Sequence, residues 1–165
     1  MLFRSRFAQA VRTDRHQLRA SAYIGGFQLP KAPEARLVDG DLVGRLLRRW
    51  GGPGFPDAET ELRCTEAMRV PGAAHSALEY YRWAVRSRLR PTGARYRQLM
   101  AAGVGMPVLQ LHGGLDSALL PTSAHGSGAY AHGGYELRIL GGVGHFLQQE
   151  APDLVSELLV EHARA

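Results

Sequence analysis

The chain has 165 residues, of which 45% are hydrophobic, which is enough for one core and too little for two large domains. Its formal net charge of +5 comes almost wholly from arginine, because Lys31 is the only lysine. With no apolar run near the ~20 residues of a membrane helix, no signal-peptide core and a lone Cys64, we expect a cytoplasmic protein with no disulfide and no membrane partner.

The first hundred residues carry apolar side chains at helical intervals. One group comprises Leu37, Val43, Leu46, Leu47 and Trp50, and another comprises Ala77, Leu78, Tyr81, Val85 and Leu89. The run GGPGFPD at 51–57 and the prolines Pro71 and Pro91 separate the helices. We therefore predict a helical region over residues 1–103. Its arginines between Arg82 and Arg97 follow helical spacing, which favours a solvated helix face over a nucleic-acid site.

The pattern changes after Gly103. The run MPVLQLH at 106–112 is typical of a buried parallel strand, and ELRIL at 136–140 is a second, shorter candidate. The glycine-rich stretch between them must cross over but does not favour a helix. A final helix is predicted to begin at Pro152 and to pack across the second strand through Leu154, Val155, Leu158 and Leu159.

Each predicted strand runs into a glycine-rich turn that carries one functional side chain. Asp116 follows the first strand and His145 follows the second. Since the carboxyl ends of parallel strands share one edge of a sheet, we expect these side chains to meet there. A carboxylate that accepts a hydrogen bond from one imidazole nitrogen leaves the other nitrogen free to take a proton from water. Either residue alone usually has a structural role. Together, in this order, they predict a catalytic pair.

No cofactor or metal ion is expected from the remaining motifs. The segment GGVGHF does not complete G-x-G-x-x-G, because Leu147 occupies the last position. The histidines His112, His125, His132 and His145 show no ligand spacing with a second carboxylate or thiolate.

Residues 104–165, with PVLQLHGGLDSALLP and YELRILGGVGHFLQQEAPDLVSELLVEH, resemble the last two strands and the closing helix of the α/β-hydrolase family. The segments SAYIGGFQLP at 21–30 and ALEYYRW at 77–83 resemble the lid of the epoxide hydrolase branch. This resemblance implies an α/β fold, an incomplete α/β-hydrolase with a helical lid (1–103) followed by the C-terminal part of the core (104–165). It also implies that Tyr23 and Tyr81 donate hydrogen bonds to the epoxide oxygen. Helical periodicity alone would assign both tyrosines to packing.

A member of this family also needs a nucleophile on a strand-to-helix elbow before the lid, and an oxyanion hole. Neither is found here, since HGSG around Ser127 has the wrong spacing and follows the acid. We therefore expect Met1 to fall just upstream of the lid, with the earlier strands absent. Such a truncated form should be inactive alone, and it should need a complementing N-terminal half or self-associate, because two strands and one helix leave apolar surface uncovered.

The activity that the resemblance implies is hydrolysis of a small apolar epoxide to a diol by water that Asp116 and His145 activate. Two alternatives stay open. The chain could belong to another lidded hydrolase acting on an ester-like or halogenated substrate, such as an esterase or a haloalkane dehalogenase. It could also be a non-catalytic remnant that binds partners through its arginines, although nucleic acid is not the expected partner.

Overall fold

A computed structural model describes residues 3–164 of the chain. We expected Met1 to fall just upstream of the lid, and this residue lies outside the described residues. Helices come first: α1 (Phe3–Thr13), α2 (Arg15–Ala20), α3 (Tyr23–Gly26), α4 (Ala32–Val38), α5 (Leu42–Trp50), α6 (Ala58–Arg69), α7 (Ala73–Arg86) and α8 (Pro91–Ala101). The strands and closing helices follow: β1 (Val108–Gly113), β2 (Tyr135–Leu140), α9 (Leu147–Glu150) and α10 (Pro152–Arg164). No helix in this described span is long and apolar enough to cross a bilayer.

The helical region has its own hydrophobic core, formed by α3 to α7. Its buried members are Phe27, Leu37, Val43, Leu47, Ala74 and Leu78. In α5 the buried residues Val43, Leu47 and Trp50 recur at the spacing of one helix face, as the sequence pattern predicted. Cys64 is half-buried and packs against this core.

Helix α7 buries a different face from the one that periodicity predicted. Ala74, Leu78 and Arg82 are buried at a spacing of four residues, and the helix packs against α4 and α6. Val85 and Leu89 are instead 39% and 95% exposed. Leu89 lies outside the helix, in a short turn (Ser87–Leu89) that follows the end of α7 at Arg86 and precedes α8 at Pro91, whereas Val85 lies in α7 three residues beyond the buried Arg82.

The sheet consists of β1 and β2, which pair in parallel from Val108 opposite Tyr135 to Gly113 opposite Leu140. The crossover between them contains two short 3₁₀ turns (Pro121–Ser123 and Ser127–Tyr130) rather than a helix. Its glycines explain this, because glycine carries the largest entropy cost in a helix. Both carboxyl ends therefore lie at one edge of the sheet.

A second, smaller core joins the sheet to the closing helix. Val155 and Leu158 of α10 pack with Leu140 and Val143. The other two members of the predicted stripe, Leu154 and Leu159, are 41% and 53% exposed, so the prediction holds for half of it. One helix can cover only one side of two strands, and the residues of β1 up to Leu111 are accordingly only half-buried.

Candidate active site

Asp116 lies in the turn after β1 and is 4% exposed. Its Oδ1 atom accepts the backbone N–H groups of Ala118 at 2.9 Å and Leu119 at 2.8 Å. These two bonds orient the carboxylate and leave Oδ2 directed at the neighbouring loop. The side chain that occupies this direction is His145.

His145 Nδ1 lies 2.8 Å from Asp116 Oδ2, so the two side chains meet at the edge of the sheet as their positions predicted. A carboxylate only accepts at neutral pH, which assigns the proton of the pair to Nδ1 and leaves Nε2 as the acceptor. The side chain of His145 is 28% exposed, so part of the imidazole is open to a water molecule or substrate. This geometry is that of an imidazole base held by a buried acid.

The helical region also holds the loop of His145 in place. The backbone N–H of His145 donates to the carbonyl of Trp50 at 2.8 Å. The indole of Trp50 packs edge-on against the imidazole, with a centroid separation of 5.6 Å. The ring of His145 is therefore fixed by Asp116 on one side and by the end of α5 on another.

Glu150 connects the same two loops through a single carboxylate. Oε2 accepts the N–H groups of Gly52 at 2.8 Å and Gly144 at 2.7 Å, and Oε1 accepts that of Phe146 at 2.9 Å. Charge-assisted hydrogen bonds of this type are stronger than neutral ones. Glu150 was not predicted as a site residue, and only its position four residues after Phe146 could have suggested a contact.

The approach of the two loops requires glycine at position 144. A Cβ atom added there would lie 2.4 Å from the backbone nitrogen of Gly52 and 2.5 Å from the carbonyl carbon of Gly51. Both distances are shorter than real Cβ contacts, and both partners are backbone atoms. The glycine before His145 thus permits the lid-side loop to close against the histidine loop.

The two predicted tyrosines lie together on the other side of Trp50. The rings of Tyr23 and Tyr81 are edge-to-face at a centroid separation of 5.8 Å. The ring of Tyr23 also lies 4.8 Å from that of Trp50, which in turn contacts His145. The structure therefore brings Tyr23, Tyr81, Asp116 and His145 into one cluster centred on an indole that sequence reasoning assigned only to packing.

Burial, and then the electrostatic influence of Tyr81, raise the pKa of Tyr23 well above its usual 10.0. The negative charge of Asp116 acts in the same direction. Burial also raises the pKa of Tyr81. Both hydroxyls therefore stay protonated at neutral pH and can donate a hydrogen bond to a developing oxyanion.

Arg82, directly after Tyr81, is buried. The prediction that it lies on a solvated helix face is therefore wrong. Its Nε donates to the carbonyl of Phe27 at 3.0 Å and its Nη2 to that of Leu29 at 2.8 Å. Its Nη1 and Nη2 also donate to the carboxylate of Glu34, at 2.5 and 3.0 Å. The bond from Arg82 lowers the pKa of Glu34 from 4.5 to about 2.

This network ties the tyrosine-bearing helix α7 to the segment that follows Tyr23, and so sets the spacing of the two phenols. Helical spacing could have revealed Arg82, because it lies four residues beyond the buried Leu78. The remaining arginines from Arg86 to Arg97 are exposed, as predicted.

Gln17 performs a similar task between α2 and the turn of Asp116. It is fully buried, and its amide donates to the carbonyl of Ala118 at 3.0 Å and accepts the N–H of Leu120 at 2.8 Å. A buried glutamine with its oxygen and nitrogen both bonded fixes the relative position of the segments it joins. Nothing in the sequence near Gln17 indicates this role.

His112 places a second imidazole near the acid. Its Nε2 lies 2.9 Å from the carbonyl of Leu119 and 3.9 Å from Asp116 Oδ2. Residues 3–164 contain no group of three or more His, Cys, Asp or Glu side chains arranged to hold a metal ion. Ser127 is fully buried in its turn.

The fold is shared with solved structures of hydrolases. A candidate epoxide hydrolase from Klebsiella pneumoniae matches with a TM-score of 0.74 and 25% identity over 92% of this chain and 52% of its own. An alanine mutant of an epoxide hydrolase from Bacillus megaterium matches with a TM-score of 0.70 and 20% identity over 97% and 57%. A loop variant of a haloalkane dehalogenase from Bradyrhizobium elkanii gives 0.60 and 20% over 98% and 56%.

No protein-family model matches the sequence, and the search of curated proteins finds no significant match. The structural matches define the class: the chain has an α/β-hydrolase fold, represented by a helical lid and the C-terminal part of the core. Its structural relatives include epoxide hydrolases and a haloalkane dehalogenase, which confirms the resemblance predicted from the sequence. The chain spans about half the length of these relatives.

Proposed function

We propose that this chain provides the lid and the acid–base pair of an enzyme that hydrolyses epoxides to diols. The observation that carries the proposal is the contact between His145 Nδ1 and Asp116 Oδ2 at 2.8 Å, with the tyrosine pair joined to it through Trp50. Epoxide hydrolases among the structural relatives support the same activity. The proposed catalytic residues are Asp116, His145, Tyr23 and Tyr81.

The chemistry follows in two steps. A carboxylate nucleophile attacks an epoxide carbon, so that an ester bond forms as the ring C–O bond breaks, and the released alkoxide takes a proton from a tyrosine hydroxyl. Water then attacks the ester carbonyl while His145 Nε2 accepts its proton, and Asp116 stabilises the resulting imidazolium. Cleavage of the ester releases the diol and restores the carboxylate. The proton that His145 took from water then passes to the tyrosinate, so that the neutral imidazole and the tyrosine hydroxyl are both restored.

The nucleophile is proposed to come from a complementing N-terminal half of the sheet. Two features support this. The chain spans about half the length of its relatives, and apolar side chains beside the sheet are open, with Met106 66% and Ile139 42% exposed. A partner that adds strands would cover such surface. Self-association through the same surface is the alternative, and a cytoplasmic location remains a prediction.

A second candidate is a dehalogenase or esterase with the same base. The match to a haloalkane dehalogenase favours it, although with a lower TM-score, 0.60 against 0.74 for the candidate epoxide hydrolase. In that case the tyrosines would be incidental to catalysis. A non-catalytic role, in which the exposed arginines bind an acidic partner, is the third possibility and would show as salt-sensitive association.

The test is an assay of diol formation from an aryl epoxide, with this chain alone and with a co-expressed nucleophile-bearing N-terminal half of an epoxide hydrolase. We expect no turnover alone, and turnover on complementation that His145→Ala abolishes. Replacing Tyr23 and Tyr81 by Phe should remove most epoxide turnover and leave turnover of an ester or haloalkane nearly unchanged. Epoxide turnover that survives His145→Ala would contradict the proposal. Turnover by the isolated chain would contradict the need for a partner.

A further inference from the structure

A cavity of about 480 Å³ opens between α3, α4 and α5, and Tyr23 forms part of its wall. This volume falls within the range of ~300–1,000 Å³ that is typical of small-molecule sites. The apolar part of the lining includes Phe27, Leu42 and Leu46. The cationic part consists of three arginines, Arg36, Arg45 and Arg49. A cavity with both parts suits a ligand that is apolar at one end and negatively charged at the other.

The arrangement arises from the two faces of α5. Val43, Leu47 and Trp50 point into the core of the helical region. Leu42, Arg45, Leu46 and Arg49 recur at intervals of three and four residues and line the cavity. Leu42 and Leu46 also pack against the core, and Arg45 and Arg49 are exposed, so this side of the helix is alternately aliphatic and cationic.

Two of the three cations have no carboxylate partner in the described part of the chain. Arg45 pairs with Asp41 at 3.0 Å. No carboxylate of residues 3–164 lies within ion-pair distance of Arg36 or Arg49, and Glu34, two positions before Arg36, is engaged by Arg82. An anion that bound at the cavity would therefore meet two uncompensated guanidinium groups, which are well suited to carboxylate and phosphate oxygens.

The cavity also borders the candidate active site, because Tyr23 belongs to both. The hydroxyl of Ser117, next to Asp116, donates to the carbonyl of Arg49 at 2.6 Å. Trp50, the next residue, contacts both Tyr23 and His145. The cationic lining at Arg49 and the phenol of Tyr23 therefore belong to one cavity wall.

We propose that the substrate of this enzyme carries an anionic group, a carboxylate or a phosphate, joined to an apolar body, and that Arg36 and Arg49 bind that group. That the anionic ligand is a substrate rests on the proposed function. That Arg36 and Arg49 bind it does not. It names a substrate class that a lid lined by aliphatic side chains alone would not select. A larger groove on the surface of α10 is formed by one helix face alone and carries no comparable argument.

Binding can be tested on the full chain without turnover, by isothermal titration calorimetry with octanoate, octyl phosphate and octanol. We expect at least one of the two anions to bind about tenfold more tightly than octanol, a preference that weakens with salt. Octanoate and octyl phosphate distinguish a carboxylate from a phosphate substrate. The combined variant Arg36→Gln, Arg49→Gln should lose the preference, and Arg36→Lys, Arg49→Lys should retain most of it.

The matched control replaces two exposed arginines outside the cavity, Arg88→Gln with Arg97→Gln, and should bind like the wild type. Equal binding of octanol and both anions, no binding of any probe, or an equal loss in the control would overturn the inference. A protein that hydrolyses epoxides without this preference refutes only the inference. One that shows the preference but no hydrolysis on complementation refutes only the proposed function.

Discussion

The carboxylate of Glu150 accepts the backbone N–H of Gly144 at 2.7 Å, one residue before the imidazole of His145. The same oxygen accepts the N–H of Gly52, which lies 98 positions away in the chain. Glu150 therefore acts as a positioning residue, because it holds the histidine loop and the loop after α5 without touching the imidazole. The geometry of the candidate base depends on this link between the lid and the core.

Replacing Glu150 by Gln should weaken that link. The amide oxygen can still accept from Gly52 and Gly144, but the amide nitrogen would then face the N–H of Phe146, a donor against a donor. We expect the free energy of unfolding to fall by about 1–3 kcal/mol, measured by urea denaturation. The control Glu157→Gln, at an exposed position of α10, should stay within about 0.5 kcal/mol of the wild type. Equal effects of the two substitutions would refute the role of Glu150.

Gly144 and Gly141 offer a matched pair for the close approach of the loops. An added Cβ at Gly144 would lie 2.4 Å from the nitrogen of Gly52, whereas one at Gly141 would have no atom within 4 Å. Gly144→Ala should therefore destabilise the protein by about 1–3 kcal/mol, because backbone must shift to admit the methyl group. Gly141→Ala should be neutral. Thermal unfolding followed by circular dichroism compares them, and equal melting temperatures would contradict the packing described.

The ion pair of Glu34 with Arg82 predicts a specific acid dependence of stability. Because the folded-state pKa of Glu34 is about 2 and its ordinary value is 4.5, its contribution is fully present above pH 4.5 and is lost as the pH falls toward 2. At neutral pH, Glu34→Gln should lower the free energy of unfolding by about 1.5–3 kcal/mol, since the buried Arg82 then loses its two charged hydrogen bonds to Glu34 and keeps only the longer contact with Glu79, at 3.3 Å.

The difference between wild type and Glu34→Gln should shrink as the pH falls through this window, because a protonated glutamate resembles glutamine. Urea unfolding at a series of pH values measures it. The exposed Glu66→Gln serves as the control and should show no such trend. A difference that stays constant down to the lowest pH would show that Glu34 does not act through its charge.

The raised pKa of Tyr23 predicts that stability also depends on pH in the alkaline range, with the opposite sign. Its pKa is raised above the usual 10.0, so its stabilising contribution is complete below pH 10 and is lost as the pH rises beyond that value. In a spectrophotometric titration, Tyr23→Phe should remove a tyrosinate transition that lies above pH 10 in the folded protein. The exposed Tyr80→Phe, as a control, should leave that transition in place. A transition of Tyr23 at or below pH 10 would contradict its buried environment.

Local pattern was enough to predict several parts of this protein. The strands β1 and β2, the loop after α5 and the start of α10 at Pro152 follow from apolar runs and from glycine and proline breaks. The meeting of Asp116 with His145 also followed, because parallel strands place their carboxyl ends at one edge. The role of the tyrosines required the family resemblance, and their catalytic function stays a prediction, as does the division of the chain at residue 103.

Burial of polar side chains could not be predicted in the same way. Arg82 was assigned to a solvated face, yet it binds Glu34, 48 positions away. Gln17 bonds to Ala118 at a separation of 101 positions, and Glu150 to Gly52 at 98. In each case the partner is unrelated to the local sequence. Whether a charged or polar group is buried depends on the groups that lie opposite it, because an unmatched buried group costs several kilocalories per mole.

The amino-acid order alone was sufficient for the helices, the two strands, and the placing of an acid and a base after them, since these depend on spacings of a few residues. Tertiary packing alone decided that Trp50 lies between Tyr23 and His145 and that Glu150 joins two distant loops. It also decided that two of the three arginines lining a cavity have no carboxylate partner among residues 3–164. These relationships arise only when segments far apart in the chain exclude water from each other, and no local pattern encodes them.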